Sequence, residues 1–193
     1  MDLTESTIEV KLGRAKKMML WFGIASLLMT FAGWTSAYIV SSTREDWLKS
    51  FELPSSFYVS TVLLIVSSFT YILAKKAMKD GKSSLCTTFL LTTLGLGLAF
   101  IAFQFNGFSQ IVSQGYYFTG ESSSVTTSYI FLIAMVHILH VIAGIISLSI
   151  VIFNQSKGKY SPDNLLGIEL GATFWHFLDL LWIYLILFFY FYR

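Results

Sequence analysis

Five runs of apolar residues divide the chain, and charged residues are almost confined to the stretches before, between and after them. Each run is about 20 residues long, the length a helix needs to cross the ~30 Å hydrocarbon core of a bilayer. The pattern predicts an all-α fold, a polytopic bundle of five transmembrane helices. We expect the spans at about 18–40, 57–74, 85–107, 128–153 and 168–192, in one domain covering 18–193 after a polar segment at 1–17.

The composition supports a membrane protein. Of 193 residues, 55% are hydrophobic and only 12% are charged, which is too apolar for a soluble domain of this size. Residues 1–17 lack the apolar core and small-residue cleavage site of a signal peptide, so we expect none. The single cysteine, Cys86, excludes a disulfide or a multi-cysteine metal centre within the chain.

Basic residues fall mainly on one side of the predicted bundle. Ten lie in the N-terminal segment, the second–third connection and the fourth–fifth connection, against three on the other side. By the positive-inside rule, the N-terminus is expected in the cytoplasm and the C-terminus outside. The ten are Lys11, Arg14, Lys16, Lys17, Lys75, Lys76, Lys79, Lys82, Lys157 and Lys159, and the three are Arg44, Lys49 and Arg193.

Small residues recur at helical spacing along the first and third spans. Such stripes let a neighbouring backbone approach closely, so they predict helix packing within this chain or against a partner subunit. The first stripe is Gly23, Ser26, Thr30, Gly33 and Ala37, and the second is Thr88, Thr92, Gly95, Ala99 and Ala102. Hydroxyls of the second span, Ser67, Ser68 and Thr70, also favour packing, because hydroxyls inside a span bond a carbonyl or a neighbouring helix.

The fourth and fifth spans carry ionisable residues that hydrocarbon does not tolerate without partners. His176 and Asp179 share one helix face, as do His137 and His140. At ~1.5 Å per residue, His176 and Asp179 lie roughly 12 and 17 Å into the fifth span, and His140 about 15 Å into the fourth. We therefore hypothesise a buried polar cluster of these residues that joins the two helices and pairs the carboxylate.

The same histidines are weak candidates for a metal or haem site. A zinc-peptidase site needs histidines four residues apart beside a glutamate, which is absent. Haem ligation would need axial histidines from two helices, such as His140 and His176. Neutral, hydrogen-bonded packing histidines are favoured, so we expect no catalytic, cofactor or metal site in this chain.

Glu169 stands near the cytoplasmic start of the fifth span. An anion there is favoured by the helix dipole, so helix capping is the plain interpretation. A proton-collecting role is the sharper alternative.

Several motifs, in order along the chain, resemble subunit III of the haem–copper oxidases. The stretch from Trp175 to Trp182, which includes Phe177, resembles the C-terminal signature of that family. The stretch from His137 to Gly144 resembles the family's paired-histidine helix, and Phe103-Gln104 resembles its Phe-Gln pair. The remaining matches are Ala32-Gly33 with Ser36 to Val40, and Leu53-Pro54 with Ser60-Thr61 and Ser67 to Thr70.

The resemblance implies a five-helix bacterial form that lacks the two leading helices of the seven-helix form. It implies a noncatalytic subunit of a proton-pumping terminal oxidase, a cytochrome c oxidase in the bacterial plasma membrane. Such a subunit stabilises subunit I, binds phospholipid and supports proton uptake, while haem and copper reside in partner subunits. Partners are expected to be subunits I and II, membrane phospholipids and a respiratory supercomplex, without nucleic acid.

Two features of the resemblance limit what can be transferred. Leu27 stands where the family often has a glutamate, so an acidic proton antenna is not expected at that position. In the seven-helix form, lipids lie between the two leading helices and the other five. We hypothesise that partner helices, such as extra helices attached to subunit I, fill this gap.

Other functions also fit these sequence features. A quinol oxidase subunit III or an accessory subunit of a nitric oxide reductase would share these motifs. A small haem- or quinone-binding membrane cytochrome would use His140 and His176. A transporter is disfavoured, because internal repeats and broken helices are absent from the sequence.

Overall fold

The protein is a bundle of five helices in a computed structural model that describes residues 3–45, 47–48, 51–120 and 123–192. All five are long and apolar enough to cross a membrane, which confirms the predicted fold. The helices are α1 (Leu3–Ser41), α2 (Ser55–Lys79), α3 (Ser83–Ser113), α4 (Val125–Ser156) and α5 (Leu166–Phe191). Helix α1 begins at Leu3, so it includes most of the polar segment predicted at 1–17. Lys49 and Arg193 of the charge pattern lie outside the described residues.

Helix α5 is the centre of the bundle. It packs against α1, α2 and α4, while α3 packs against α2 and α4. Within the described residues, α1 does not approach α2 or α3. The gap between α1 and α2, with α5 as its floor, is called the α1–α2 cleft below.

Helices α2 and α3 form the closest pair, and a tight turn joins them. After α2 ends, Gly81 adopts a φ of 72°, a left-handed conformation that a glycine adopts without strain. The Lys82 N–H donates to the Ala77 carbonyl and the Gly81 N–H to that of Met78, which terminates the helix by a Schellman motif.

Aromatic rings fill the helix interfaces by lying on glycines of neighbouring helices. The Phe57 ring covers Gly107, and the Tyr71 hydroxyl lies against Gly171. Trp175 lies against both Gly97 and Gly144, where a Cβ on Gly97 would stand 2.7 Å from Trp175 Cη2. Large rings against small residues give the dense packing that holds membrane helices together.

The two predicted small-residue stripes do not make these contacts. A Cβ added at Gly23, Gly33 or Gly95 would meet no atom within 4 Å. Most of the other stripe residues are also exposed, and Ala37 and Ala99 are half-buried. The stripes therefore face away from the core of this chain, and packing against a partner subunit is the remaining interpretation of them.

The basic segments lie together at one end of the bundle. Lys17 of α1 and Lys75 of α2 both contact Glu169 at the start of α5. At the same end, Gln155 of α4 donates to the Ser83 hydroxyl of α3. The fold thus brings together the segments that the charge pattern assigns to one side. The cytoplasmic orientation of that side stays a prediction.

Candidate functional site on α2 and α5

Helix α2 carries a row of hydroxyls that bind the neighbouring helices. A hydroxyl has one donor and two lone pairs, so it can donate to its own helix and still accept from another. Ser67 donates to the Leu64 carbonyl and accepts from Trp175 Nε1 at 3.0 Å. Thr61 likewise donates to the Phe57 carbonyl and accepts from Trp182 Nε1 at 3.0 Å.

The same row also holds α3. Ser60 accepts from Gln104 Nε2 at 2.9 Å while donating to the Phe57 carbonyl. Thr70 and Thr93 share a hydrogen bond of 2.7 Å between their hydroxyls. The group of Ser56, Ser60, Thr61, Ser67, Ser68 and Thr70 is called the α2 hydroxyl row. Ser67 and Thr70 therefore make the packing contacts predicted for them. Trp175, Trp182 and Gln104, which belong to the family-like motifs, donate hydrogen bonds to α2 hydroxyls.

Ser68 differs from the others because it faces a histidine. Its Oγ lies 2.6 Å from His176 Nδ1, and the Tyr71 ring lies edge-on to the same imidazole. Asp179 Oδ2 is 3.9 Å from His176 Nδ1, too far for a hydrogen bond. The Asp179 carboxyl group faces both the His176 ring and the Ser68 hydroxyl.

Asp179 is buried without a hydrogen bond. Only 3% of the residue is exposed, and neither carboxyl oxygen has a partner among the described residues. It lies near the middle of the 26-residue α5, far from bulk water at either end. A buried carboxyl group without partners is rare and costly, so the environment of Asp179 needs a physical explanation.

His137 is enclosed by aromatic rings rather than by polar groups. It is fully buried and stacks on Trp182, with 5.1 Å between the ring centroids. Phe31 and Phe100 present their rings at steep angles to the imidazole, and neither His137 nitrogen has a partner in the described part of the chain. His137 therefore acts as a packing ring between α4 and α5.

The structure separates the four residues of the hypothesised cluster into three environments. His140 places Nδ1 2.7 Å from the carbonyl oxygen of Val136 and packs on Phe31 of α1. His176 and Asp179 face α2 instead, and no hydrogen bond between them and His140 occurs among the described residues. The described residues therefore show no link between α4 and α5 through His140. The sequence could not show that the partner of His176 is a serine of α2.

Glu169 bridges two helices at the charged end. Its Oε2 lies 3.2 Å from Lys17 Nζ and its Oε1 lies 3.1 Å from Lys75 Nζ. These residues line a cavity of about 220 Å³ with Trp21 and Thr173 at the mouth of the α1–α2 cleft. Glu169 is in the first turn of α5, and the Leu165 N-cap has no side-chain hydrogen bond.

Further along the α1–α2 cleft, the lining becomes apolar. A cavity of about 480 Å³ lies between α1 and α5. Its walls are Leu28, Phe31, Ala32, Phe177, Leu180, Leu181 and Tyr184. The Tyr184 hydroxyl donates to Thr35 Oγ1 at 3.2 Å and bridges the two helices at the far end. The cleft thus has a positively charged mouth and an apolar interior.

Comparison with known proteins decides the family. The family model described as cytochrome c oxidase subunit III matches residues 45–193. The chain belongs to the cytochrome c oxidase subunit III family. It is a subunit III of a haem–copper oxidase, a multi-pass bacterial membrane protein and part of an oxidase complex.

Curated relatives of this subunit III carry names with different electron donors. A cytochrome bo(3) ubiquinol oxidase subunit 3 from Pseudomonas putida is 31% identical, over 82% of this chain and 73% of the relative. A cytochrome c oxidase subunit 3 from Alkalihalophilus pseudofirmus is 26% identical, over 90% and 84%. A quinol oxidase subunit 3 from Bacillus subtilis is also 26% identical, over 90% and 85%. The names therefore agree on the subunit but not on the donor.

The described residues include no group of three or more His, Cys, Asp or Glu side chains placed to hold a metal ion. His140 and His176, the candidates for haem ligation, contact different helices. The expectation that this subunit holds no haem or copper stays a prediction.

The enclosed His137 yields a test of its packing role. His137→Phe keeps a ring against Trp182 and removes two unpaired nitrogens, so stability should be unchanged or higher. His137→Ala opens a cavity and should cost about 2–4 kcal/mol. The measurement is the thermal aggregation midpoint of the subunit in mild detergent. A loss of stability in His137→Phe as large as in His137→Ala would show that the imidazole nitrogens have partners.

Proposed function

We propose that this subunit III is noncatalytic, and that it stabilises subunit I, binds phospholipid and supports proton uptake. The observation that supports this proposal is that many buried polar side chains of the subunit bond one another between helices. Indole, amide and hydroxyl groups of α2, α3 and α5 bond one another across helix interfaces. Such bonds hold helices together and leave few groups for chemistry.

The outward small-residue stripes support a role in assembly. Gly23 and Gly33 of α1 and Gly95 of α3 are open to close approach, since nothing in this chain lies where a Cβ would be. Small residues on a helix surface allow the backbone of another helix to pack closely. We propose that subunit I occupies at least one of these faces and that subunit II completes the complex.

The α1–α2 cleft supports phospholipid binding. Two lysines at its mouth face a single carboxylate, so a net positive charge remains for an anionic headgroup. From Glu169 to Leu180 the cleft floor rises about 16 Å, close to half of the ~30 Å hydrocarbon core. One acyl chain therefore fits the apolar cavity, and we propose that partner helices cover it from outside.

The proposal for the whole subunit predicts what copurifies with it. A mild-detergent pull-down of the tagged chain should bring a haem–copper subunit I and a subunit II, with the haem spectrum belonging to subunit I. Copper in subunit II would identify cytochrome c as donor, and a subunit II without copper would identify quinol. Mass spectrometry and the visible spectrum of the eluate make the measurement. Haem retained by this chain alone would contradict the noncatalytic role and make its histidines ligand candidates.

The lipid proposal makes a separate prediction. Ala32→Trp fills the apolar cavity, so the purified oxidase should retain fewer phospholipids, because the acyl chain loses its place. Met29→Trp is the matched control, since Met29 is exposed and belongs neither to the cavity lining nor to the small-residue stripe. Native mass spectrometry counts the lipids bound to each complex. Equal lipid retention in wild type and Ala32→Trp would contradict a lipid in the cleft.

A further inference from the structure

The buried interface between α5 and α2 holds a carboxyl group, Asp179, beside His176. Neither Asp179 oxygen has a hydrogen-bond partner in the part of the chain that the structure describes, although Ser68 and His176 lie beside the carboxyl group. The donors nearest along its own helix are occupied, since Trp175 Nε1 donates to Ser67 and Trp182 Nε1 donates to Thr61. An ionised carboxylate left in that position would be uncompensated in hydrocarbon.

His176 does not supply the missing charge compensation. An imidazolium paired with a carboxylate makes a short N–H···O bond, typically below 3 Å. The observed separation between His176 Nδ1 and Asp179 Oδ2 is 3.9 Å, and Nδ1 instead meets the Ser68 hydroxyl at 2.6 Å. This arrangement fits a neutral imidazole that accepts from Ser68 beside a neutral carboxylic acid.

The pair connects with the charged end of the bundle along one face of α5. Glu169, Thr173 and His176 follow at four- and three-residue spacing, so they share that face. Glu169 and Thr173 line the cavity at the cleft mouth, and His176 lies one turn further in with 29% of its side chain exposed. The mouth cavity, about 220 Å³, is large enough for several waters and has polar walls to bind them.

We propose that Asp179 and His176 form a proton-binding site that exchanges its proton with the lysine-bearing face of the membrane through Thr173. In the resting state Asp179 carries the proton as a carboxylic acid and His176 is neutral. In exchange, the Asp179 carboxylic acid moves from 3.9 Å to hydrogen-bond distance of His176 Nδ1 and gives it the proton, and Nε2 of the resulting imidazolium releases its own proton to water in the mouth cavity. One proton returning from water to Nε2, followed by transfer of the Nδ1 proton to the carboxylate, restores the resting state, so charge and proton number are conserved.

Other charged and titratable groups around the site belong to each neighbouring helix. On α2 these are Tyr71, whose ring centroid lies 6.0 Å from that of His176, and Lys75, which is held by Glu169. Lys17 is the α1 group, also on Glu169, and His137 of α4 lies against Trp182. None of them is shown in hydrogen-bond contact with Asp179 among the described residues. The inference rests on the proposed function in two respects: a membrane surrounds α5, and the oxidase uses the proton.

Infrared spectroscopy of the whole oxidase tests the site directly. With aspartate isotopically labelled at its carboxyl carbon, the wild type should show the carbonyl band of a protonated carboxylic acid. Asp179→Asn should abolish that component, and Asp179→Glu, which keeps an acid there, should shift it. If the Asp179→Asn oxidase does not assemble, the band shift between the labelled wild type and Asp179→Glu still provides the test.

The path is tested by hydrogen–deuterium exchange of the same band. Thr173→Val keeps the side-chain shape and removes a hydroxyl, so exchange should slow by about tenfold. Thr87→Val is the matched control, because the Thr87 hydroxyl donates to its own helix, as the Thr173 hydroxyl does to the Glu169 carbonyl, but Thr87 lies on α3 outside the small-residue stripe. Exchange as fast in Thr173→Val as in the control would overturn the route through Thr173.

Failure of this inference is distinguishable from failure of the proposed function. An oxidase that assembles with subunit I but shows no Asp179 carbonyl band would overturn the proton site alone. A chain that does not copurify with subunit I would instead contradict the proposed function, whatever the state of Asp179.

Discussion

The bundle depends on hydrogen bonds that α2 hydroxyls accept from its neighbours. Inside a bilayer there is no water to satisfy an indole or amide N–H, so each needs a protein acceptor. Ser67, Thr61 and Ser60 provide these acceptors for Trp175, Trp182 and Gln104. Because each hydroxyl also donates to its own helix, the row joins α2 to α3 and α5 without leaving its own protons unpaired.

This constraint explains where large and small residues lie. A tryptophan can reach an α2 hydroxyl only if the helices approach closely, and the approach requires space for its ring. Trp175 finds that space against Gly97 of α3 and Gly144 of α4. The polar contacts and the glycine contacts are thus two aspects of one packing arrangement. Asp179, between the two tryptophans on α5, is one of the buried groups that this arrangement leaves without a hydrogen bond among the described residues.

The sequence predicted the helices well and the contacts poorly, for a physical reason. The membrane determines how long an apolar run must be and on which side lysines lie. The sequence alone therefore indicates five spans and a common basic end. Spacing along one helix shows which residues share a face, as for His176 and Asp179, but not which helix that face meets. The partner of His176 is Ser68, and the glycines that pack inside the chain are not those of the regular stripes. Ser67 and Ser68 inside an apolar run were the signal, and the tryptophans that bond the row could not be assigned to it without the fold.

A double-mutant cycle between Ser67 and Trp175 tests the central role of the hydroxyl row most directly. The free energies of unfolding of Ser67→Ala, Trp175→Phe and the double variant would be measured in mild detergent. If the hydroxyl accepts from the indole as described, the two changes are coupled by about 1 kcal/mol, because either one alone removes the same bond. Additive effects within about 0.3–0.5 kcal/mol would show that this bond does not hold α5 to α2.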